Sequence, residues 1–355
     1  MAGFRAVCLL IPGDWSTPTG GYQYDRRLAL ALRAAGWSVD VLQLDADWPT
    51  PDAAALAQAA SRIGAIPDGT RVIADGLAYG ALDAVVADHA RRLRWVALVH
   101  HPLHLETGLA PQLREQLRES EARALRFARR VVVTSPCTAR DVAALGVPPA
   151  RIAVVEPGTD PCVDMPPAWP APAPGPVTLL SVATVTPRKG YAVLLQALAG
   201  LTMPDWRLHC VGSLTRDAAT AAHLQALGQA LGLAERVAWH GEVDAATLAA
   251  HYAAADLLVL PSLYEGYGMV VAEALAAGVP VLCSDAGALK DTLPAHAGWC
   301  VPAGDVPSLQ AALRTLIGDP ALRRALAEGA REAGRRLPDW RTQAARFAAV
   351  LERVQ

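Results

Sequence analysis

Glu265 and Glu273 are separated by seven residues in Glu265-Gly266-Tyr267-Gly268-Met269-Val270-Val271-Ala272-Glu273. The apolar run Leu257-Leu258-Val259-Leu260 before them reads as a buried parallel strand. Pro261 and Ser262 end it, and Met269 to Ala277 reads as a helix. One carboxylate then lies in the loop at the strand's carboxyl end, and the other on the first turns of the helix. Between them the N–H groups of Gly268, Met269 and Val270 point out of the helix N-terminus, where the dipole favours an anion such as a diphosphate. Gly266 and Tyr267 belong to the same loop. Two carboxylates bracketing an anion cradle suit a ligand with hydroxyls on both sides of a diphosphate, as in a nucleotide-sugar.

A second loop, Ser181 to Gly190, contains Thr184, Arg188 and Lys189 and joins a strand to a helix. Ligands of open parallel sheets bind at the carboxyl ends of strands, so these cations lie near Glu265 if both loops belong to one sheet. Lysine is a point charge for phosphate and arginine a two-pronged fork. Without a metal, such cations must meet the charge developing on a departing diphosphate. A solvated charge pair at a helix start is the plain alternative, and the neighbouring glutamates favour phosphate.

Gly20 and Gly21 stand between the first strand and first helix, where a backbone can approach a ligand closely. The Gly-x-Gly-x-x-Gly fingerprint is absent there, and a tight turn explains the pair equally well. His100, His101 and His104 end the fourth strand, and imidazole can hydrogen-bond sugar hydroxyls or donate to a leaving phosphate. No second carboxylate–histidine cluster has metal-ligand spacing, so no metal is expected, and at least one of the three histidines reads as structural. Asp45-Ala46-Asp47 resembles a cation-binding Asp-x-Asp, a match easily made by chance. Acceptor contacts are expected from the first half, with Asp14, Tyr22, His100 and His104 as candidates. Base recognition is expected around Trp239-His240-Gly241-Glu242.

The elements that must position these residues alternate strand and helix throughout, which implies parallel sheets covered by helices. Strands are expected at 5–11, 38–44, 71–74, 95–100, 130–134 and 152–155. In the second half they fall at 177–183, 207–211, 237–239, 257–260, 279–283 and 299–301. Helices are expected at 22–35, 77–92 and 111–128, with a terminal helix at 342–354 that returns to the first domain. The domains read as 1–158 on the acceptor side, a proline-rich linker 159–176, a donor-side domain 177–337, and the returning segment 338–355.

The 355 residues exceed one ordinary core. With 52% hydrophobic residues the chain is globular, and a net charge of −2 excludes a general nucleic-acid binder. Arginine outnumbers lysine 30 to 2, the mark of a GC-rich coding bias, which makes the placement of Lys189 stand out. Six dispersed cysteines without a Cys-x-x-Cys pair read as a reduced, cytoplasmic protein, and the apolar start is too short to span a membrane. The arginines between Gln112 and Arg130 offer a surface for weak peripheral contact with anionic lipid; interspersed glutamates favour a solvated face. Oligomeric state is not set by the sequence.

Together these residues resemble the retaining glycosyltransferases of the GT4 family, whose GT-B fold pairs two Rossmann-like domains across a cleft. Pro261-Ser262-Leu263-Tyr264-Glu265-Gly266-Tyr267-Gly268 and Glu273-Ala274-Leu275-Ala276-Ala277-Gly278-Val279-Pro280-Val281 carry the resemblance. It implies a hexosyltransferase that moves a sugar from a nucleotide-sugar donor to a hydroxyl-bearing acceptor, with retention and without metal or other cofactor, by front-face attack. Glu273 would bind the ribose, Glu265 would sit beside the donor sugar, and Lys189 would stabilise the diphosphate. Gly21 would let the first domain close on the phosphates, and His101 would lie near the transfer point. The family often has Gly-Arg where this chain has Ala183-Thr184, which leaves Arg188 as the substitute cation. The same fold also serves nucleotide-sugar epimerases and sugar phosphorylases, and a non-catalytic partner subunit could keep it too.

Overall fold

The computed structural model describes residues 5–45, 48–160, 175–202 and 206–354. Ala46 and Asp47 of the Asp-x-Asp candidate, and most of the expected linker 159–176, lie outside them. The chain divides into two compact units, residues 1–158 with 338–355 and residues 159–337.

In the first unit, β1 (Ala6–Pro12), β2 (Ser38–Leu44), β3 (Arg71–Asp75), β4 (Arg94–Val99), β5 (Arg130–Val133) and β6 (Ile152–Val154) form a sheet in the order β2-β1-β3-β4-β5-β6. In the second, β7 (Val177–Val182), β8 (Trp206–Val211), β9 (Val237–Gly241), β10 (Leu257–Leu260), β11 (Val281–Ser284) and β12 (Gly298–Val301) are ordered β12-β11-β10-β7-β8-β9. Every pairing is parallel. The inner strands are largely apolar, as expected where helices cover both faces, and Leu257, Leu258, Val259 and Leu260 are all buried.

The helix expected at 77–92 is instead two, Gly76–Tyr79 and Asp83–His89. Asp75 caps the first by accepting from Leu77 N. At Gly80 the chain is pressed so close to its neighbours that an added Cβ would lie 2.7 Å from Leu103 Cδ1, while Ser120 Oγ takes the Gly80 carbonyl at 2.7 Å.

The terminal helix, Trp340–Glu352, packs on the helix Gly20–Ala34 of the first unit, as expected. Asp339 caps its start, and Arg71 Nε donates to its last carbonyls, Leu351 O at 3.1 Å and Val354 O at 3.2 Å. Trp340 sets its ring edge-on to Tyr24 at 5.4 Å. The cysteines are less dispersed than their spacing implies. Cys283 and Cys300 meet across β11 and β12 with Sγ atoms 3.5 Å apart, both as free thiols. Among the described residues no helix is long and apolar enough to cross a membrane.

Candidate functional site

In the second unit β7 lies beside β10 where the strand order reverses, with Leu257 opposite Leu179 and Leu258 opposite Leu180. The loops leaving the carboxyl ends of two such strands necessarily meet, which is the usual ligand crevice of an open parallel sheet. Lys189 and Glu265 come together there: Lys189 Nζ donates to Glu265 Oε1 at 2.6 Å. Ser262 Oγ donates to the same oxygen at 2.7 Å. Arg188 Nη1 lies 3.5 Å from Glu265 Oε2 and donates to Tyr264 O at 2.9 Å, while Leu263 N donates to Arg188 O at 2.7 Å. The two loops are thus laced through backbone and side chains alike.

Glu265 is only 7% exposed. Burial alone would raise its carboxyl, but the Lys189 and Arg188 charges, with hydrogen bonds from Lys189 and Ser262, outweigh it and bring the pKa down to about 2. The group is a fixed anion throughout the neutral range. As a proton acceptor or nucleophile it is poor, because its charge is already satisfied.

Two glycines make the close approach possible. Gly190 has φ +69°, and a Cβ there would lie 2.0 Å from Pro261 O. Gly287 has φ +58°, and a Cβ there would lie 2.2 Å from Glu265 O, the carbonyl that accepts from Ala288 N. Only glycine fits either position.

The helix after the Glu265 loop is Met269–Ala276, with Gly268 at its N-cap and no side-chain cap hydrogen bond. Met269 and Val270 are half-buried at its start. Glu273 lies on this helix and accepts from Tyr252 Oη at 2.9 Å through Oε2. Burial raises the Glu273 carboxyl and the Tyr252 hydrogen bond pulls it back. Gly266 and Tyr267 lie buried between the glutamates, and the Tyr267 carbonyl accepts from Thr292 Oγ1 at 2.7 Å. Thr184 sits half-buried just beyond β7.

In the first unit the three histidines part company. His100 Nε2 lies 3.1 Å from Asp25 Oδ1 and 3.6 Å from Asp75 Oδ2. Gly21 covers its ring, since a Cβ there would lie 3.4 Å from His100 Cδ2. Burial pushes Asp25 up to about 7, with the Asp75 hydrogen bond and Arg26 opposing. Burial and then the Asp25 charge push Asp75 up to about 8, with His100 opposing. Burial holds His100 below the ordinary imidazole value, with Asp75 opposing. His101 Nε2 is 3.7 Å from Glu106 Oε2. His104 is 3.9 Å from the buried Glu121, which accepts from Leu103 N at 2.9 Å. Gly20 opens the first helix at the surface. Asp14 closes a turn through Ser16 N at 2.8 Å and Ser16 Oγ at 2.7 Å, and Tyr22 Oη donates to Pro12 O. On the arginine-rich helix, Arg118 pairs with Glu115 and Arg123 with Asp83, which neutralises that part of the face.

Two family models fit this chain: "Glycosyltransferase Family 4" matches residues 19–162, and "Glycosyl transferases group 1" matches residues 170–333. The chain belongs to glycosyltransferase family 4. Among curated relatives of this family 4 chain, the phosphatidyl-myo-inositol mannosyltransferase of Mycobacterium leprae is 38% identical over 47% of the chain and 44% of its own length. The MMP alpha-(1->4)-mannosyltransferase of Mycolicibacterium hassiacum is 30% identical over 73% of the chain and 65% of its own length. The chain thus matches about half to two-thirds of these relatives' lengths. Among solved structures, the sucrose-phosphate synthase of Thermosynechococcus elongatus superposes with a TM-score of 0.81 at 25% identity, covering 98% of each chain. The fold of the family 4 chain is accordingly the two-unit GT-B architecture.

Ser262, Tyr252 and Gly287 escaped the sequence reading, as did Asp25 and Asp75. Ser262 is only three residues from Glu265, but the others are distant in sequence from what they touch. Sequence spacing shows no second carboxylate–histidine cluster, yet the fold brings one together: Asp25, Asp75 and His100 place ligand atoms within 4.8 Å of one another. Asp25 lies on the helix after β1, Asp75 ends β3 and His100 follows β4, and these three strands are neighbours in the sheet but not in sequence.

Proposed function

We propose that the chain transfers a hexosyl group from a nucleotide-sugar to an acceptor hydroxyl, with retention of anomeric configuration and without a catalytic metal. The observation that carries this reading is the Lys189–Glu265–Arg188 cluster beside the uncapped start of the helix Met269–Ala276. Two cations and a helix N-terminus supply positive potential where a diphosphate departs. Glu273, held by Tyr252, binds the ribose hydroxyls. Glu265 hydrogen-bonds the donor sugar as a fixed anion.

Within this proposal, retention is assigned to front-face attack rather than to a glycosyl intermediate on Glu265. A carboxylate whose pKa has fallen to about 2 is a weak nucleophile, which disfavours a covalent glycosyl intermediate on it. Front-face attack, in which the leaving phosphate accepts the acceptor's proton, needs only positioning and charge stabilisation, and both suit this cluster. Acceptor contacts are assigned to the first unit, from His100, His101, His104 and Tyr22. The relatives named above are both mannosyltransferases, which supports mannose as the first sugar to try.

The test is incubation with GDP-mannose or UDP-glucose, with and without an alcohol acceptor. Nucleoside diphosphate released only when acceptor is present, in a product of unchanged anomeric configuration by NMR, is the expected outcome. Conversion of the donor without acceptor would indicate epimerisation, and a requirement for inorganic phosphate would indicate phosphorolysis.

A further inference from the structure

His209, His240 and His251 converge at the edge of the second sheet. His209 lies on β8, His240 on β9, and His251 on the helix Ala245–Ala254 that follows β9. Each offers a ring nitrogen within 4.8 Å of the others. His209 Nδ1 and His240 Nε2 are 2.8 Å apart, and the His240 and His251 rings are 4.6 Å apart between centroids.

The sheet is irregular where this happens. Cys210 pairs with Trp239 and Val211 with Gly241, so His240 is an extra residue on β9. A bulge re-aims one side chain out of the regular alternation. Here it leaves His240 stacked on His209 with ring planes 13° apart. His240 is exposed and the other two are half-buried, so solvent and ions reach the group.

We propose that these three imidazoles form a binding site for a divalent transition-metal ion, with Zn2+ as the fitting case and water in the fourth position. Three imidazoles on β8, β9 and the helix after β9 are a donor set that suits Zn2+. Zn–N bonds of about 2.0–2.1 Å in a tetrahedron put ligand nitrogens roughly 3.3 Å apart. The 2.8 Å pair therefore opens by about half an ångström on binding, a small rotamer adjustment for an exposed His240.

The ion would clip the edge strand β9 to β8 and to the helix that follows. Gly212 N donates to Gly241 O at 2.8 Å, and Gly212 packs against Ala183 O and Thr184 N. The clip thus braces the ends of β8 and β9 next to the loop that carries Thr184. The proposed role is structural, and its test reads ion binding directly rather than sugar transfer.

The experiment uses the full chain, purified without a histidine tag and stripped with chelator. Calorimetric titration with Zn2+ should give one ion per chain, and Co2+ should give the visible absorption of a tetrahedral nitrogen site. His240→Ala should bind Zn2+ at least about a hundredfold more weakly, and so should His251→Gln. Saturating Zn2+ should raise the wild-type melting temperature and leave that of His240→Ala unmoved. Because His240 is exposed, its variant folds normally, and circular dichroism verifies that. Absence of binding by the wild type, or unchanged affinity in His240→Ala, would overturn the proposal.

Discussion

Lys189 Nζ and Glu265 Oε1 stand 2.6 Å apart across 76 residues of sequence, so the cation and the anion of the candidate site hold each other in place. Lys189→Met leaves the buried Glu265 with Arg188 and Ser262 alone. Removing one partner of a buried pair is expected to cost about 2–4 kcal/mol of stability. Lys189→Met should also lower kcat more than it raises the donor KM, since the charge on a departing diphosphate is greatest in the transition state. Denaturant unfolding and steady-state kinetics on the same preparation measure both effects. Unchanged kcat would remove Lys189 from the chemistry.

Gly287 offers a test that touches no functional side chain. Gly287→Ala places a Cβ against the Glu265 carbonyl in a left-handed backbone, which should cost about 1–3 kcal/mol. Donor affinity should fall with it, because the Glu265 loop must shift. Gly36→Ala, also left-handed but with open space around it, is the control and should lose stability alone.

Tyr252→Phe removes the hydrogen bond that favours ionised Glu273. The Glu273 carboxyl then rises further, so the acidic limb of the donor-binding profile should move to higher pH. Donor KM measured against pH for wild type and variant reads this directly. An unmoved limb would mean that ionised Glu273 does not bind donor.

Asp25 and Asp75 predict a pH-dependent stability. Their pKa values of about 7 and about 8 in the folded chain lie above the unfolded value near 3.9, so the folded state binds the extra protons. Stability is fully present below about pH 4 and is lost as pH rises through about 8. His100, held low, works in the opposite sense. Asp75→Asn should therefore lose less stability than wild type between pH 5 and pH 9 in urea unfolding. Equal losses would show that the pair does not share this burial.

Most of the architecture is legible in the sequence because buried parallel strands are unbroken apolar runs. Leu257–Leu260 falls where such a run begins and ends. Strand order is not legible. The meeting of Lys189 with Glu265 depends on β7 lying beside β10, which local pattern does not encode. The close packing at Gly80 is hidden for a similar reason, since its neighbours Leu103 and Ser120 come from later segments. Both titratable clusters were invisible to a search by spacing, because sheet adjacency rather than chain proximity assembles them.

The most direct test of the donor site is calorimetric titration of GDP and UDP into wild type and Glu273→Ala. Wild type should bind one of the two nucleotides, and the variant should bind it at least about tenfold more weakly, the equivalent of about 1.4 kcal/mol. Equal affinity in the two proteins, or no binding by wild type, would contradict the assignment of this site to a nucleotide-sugar.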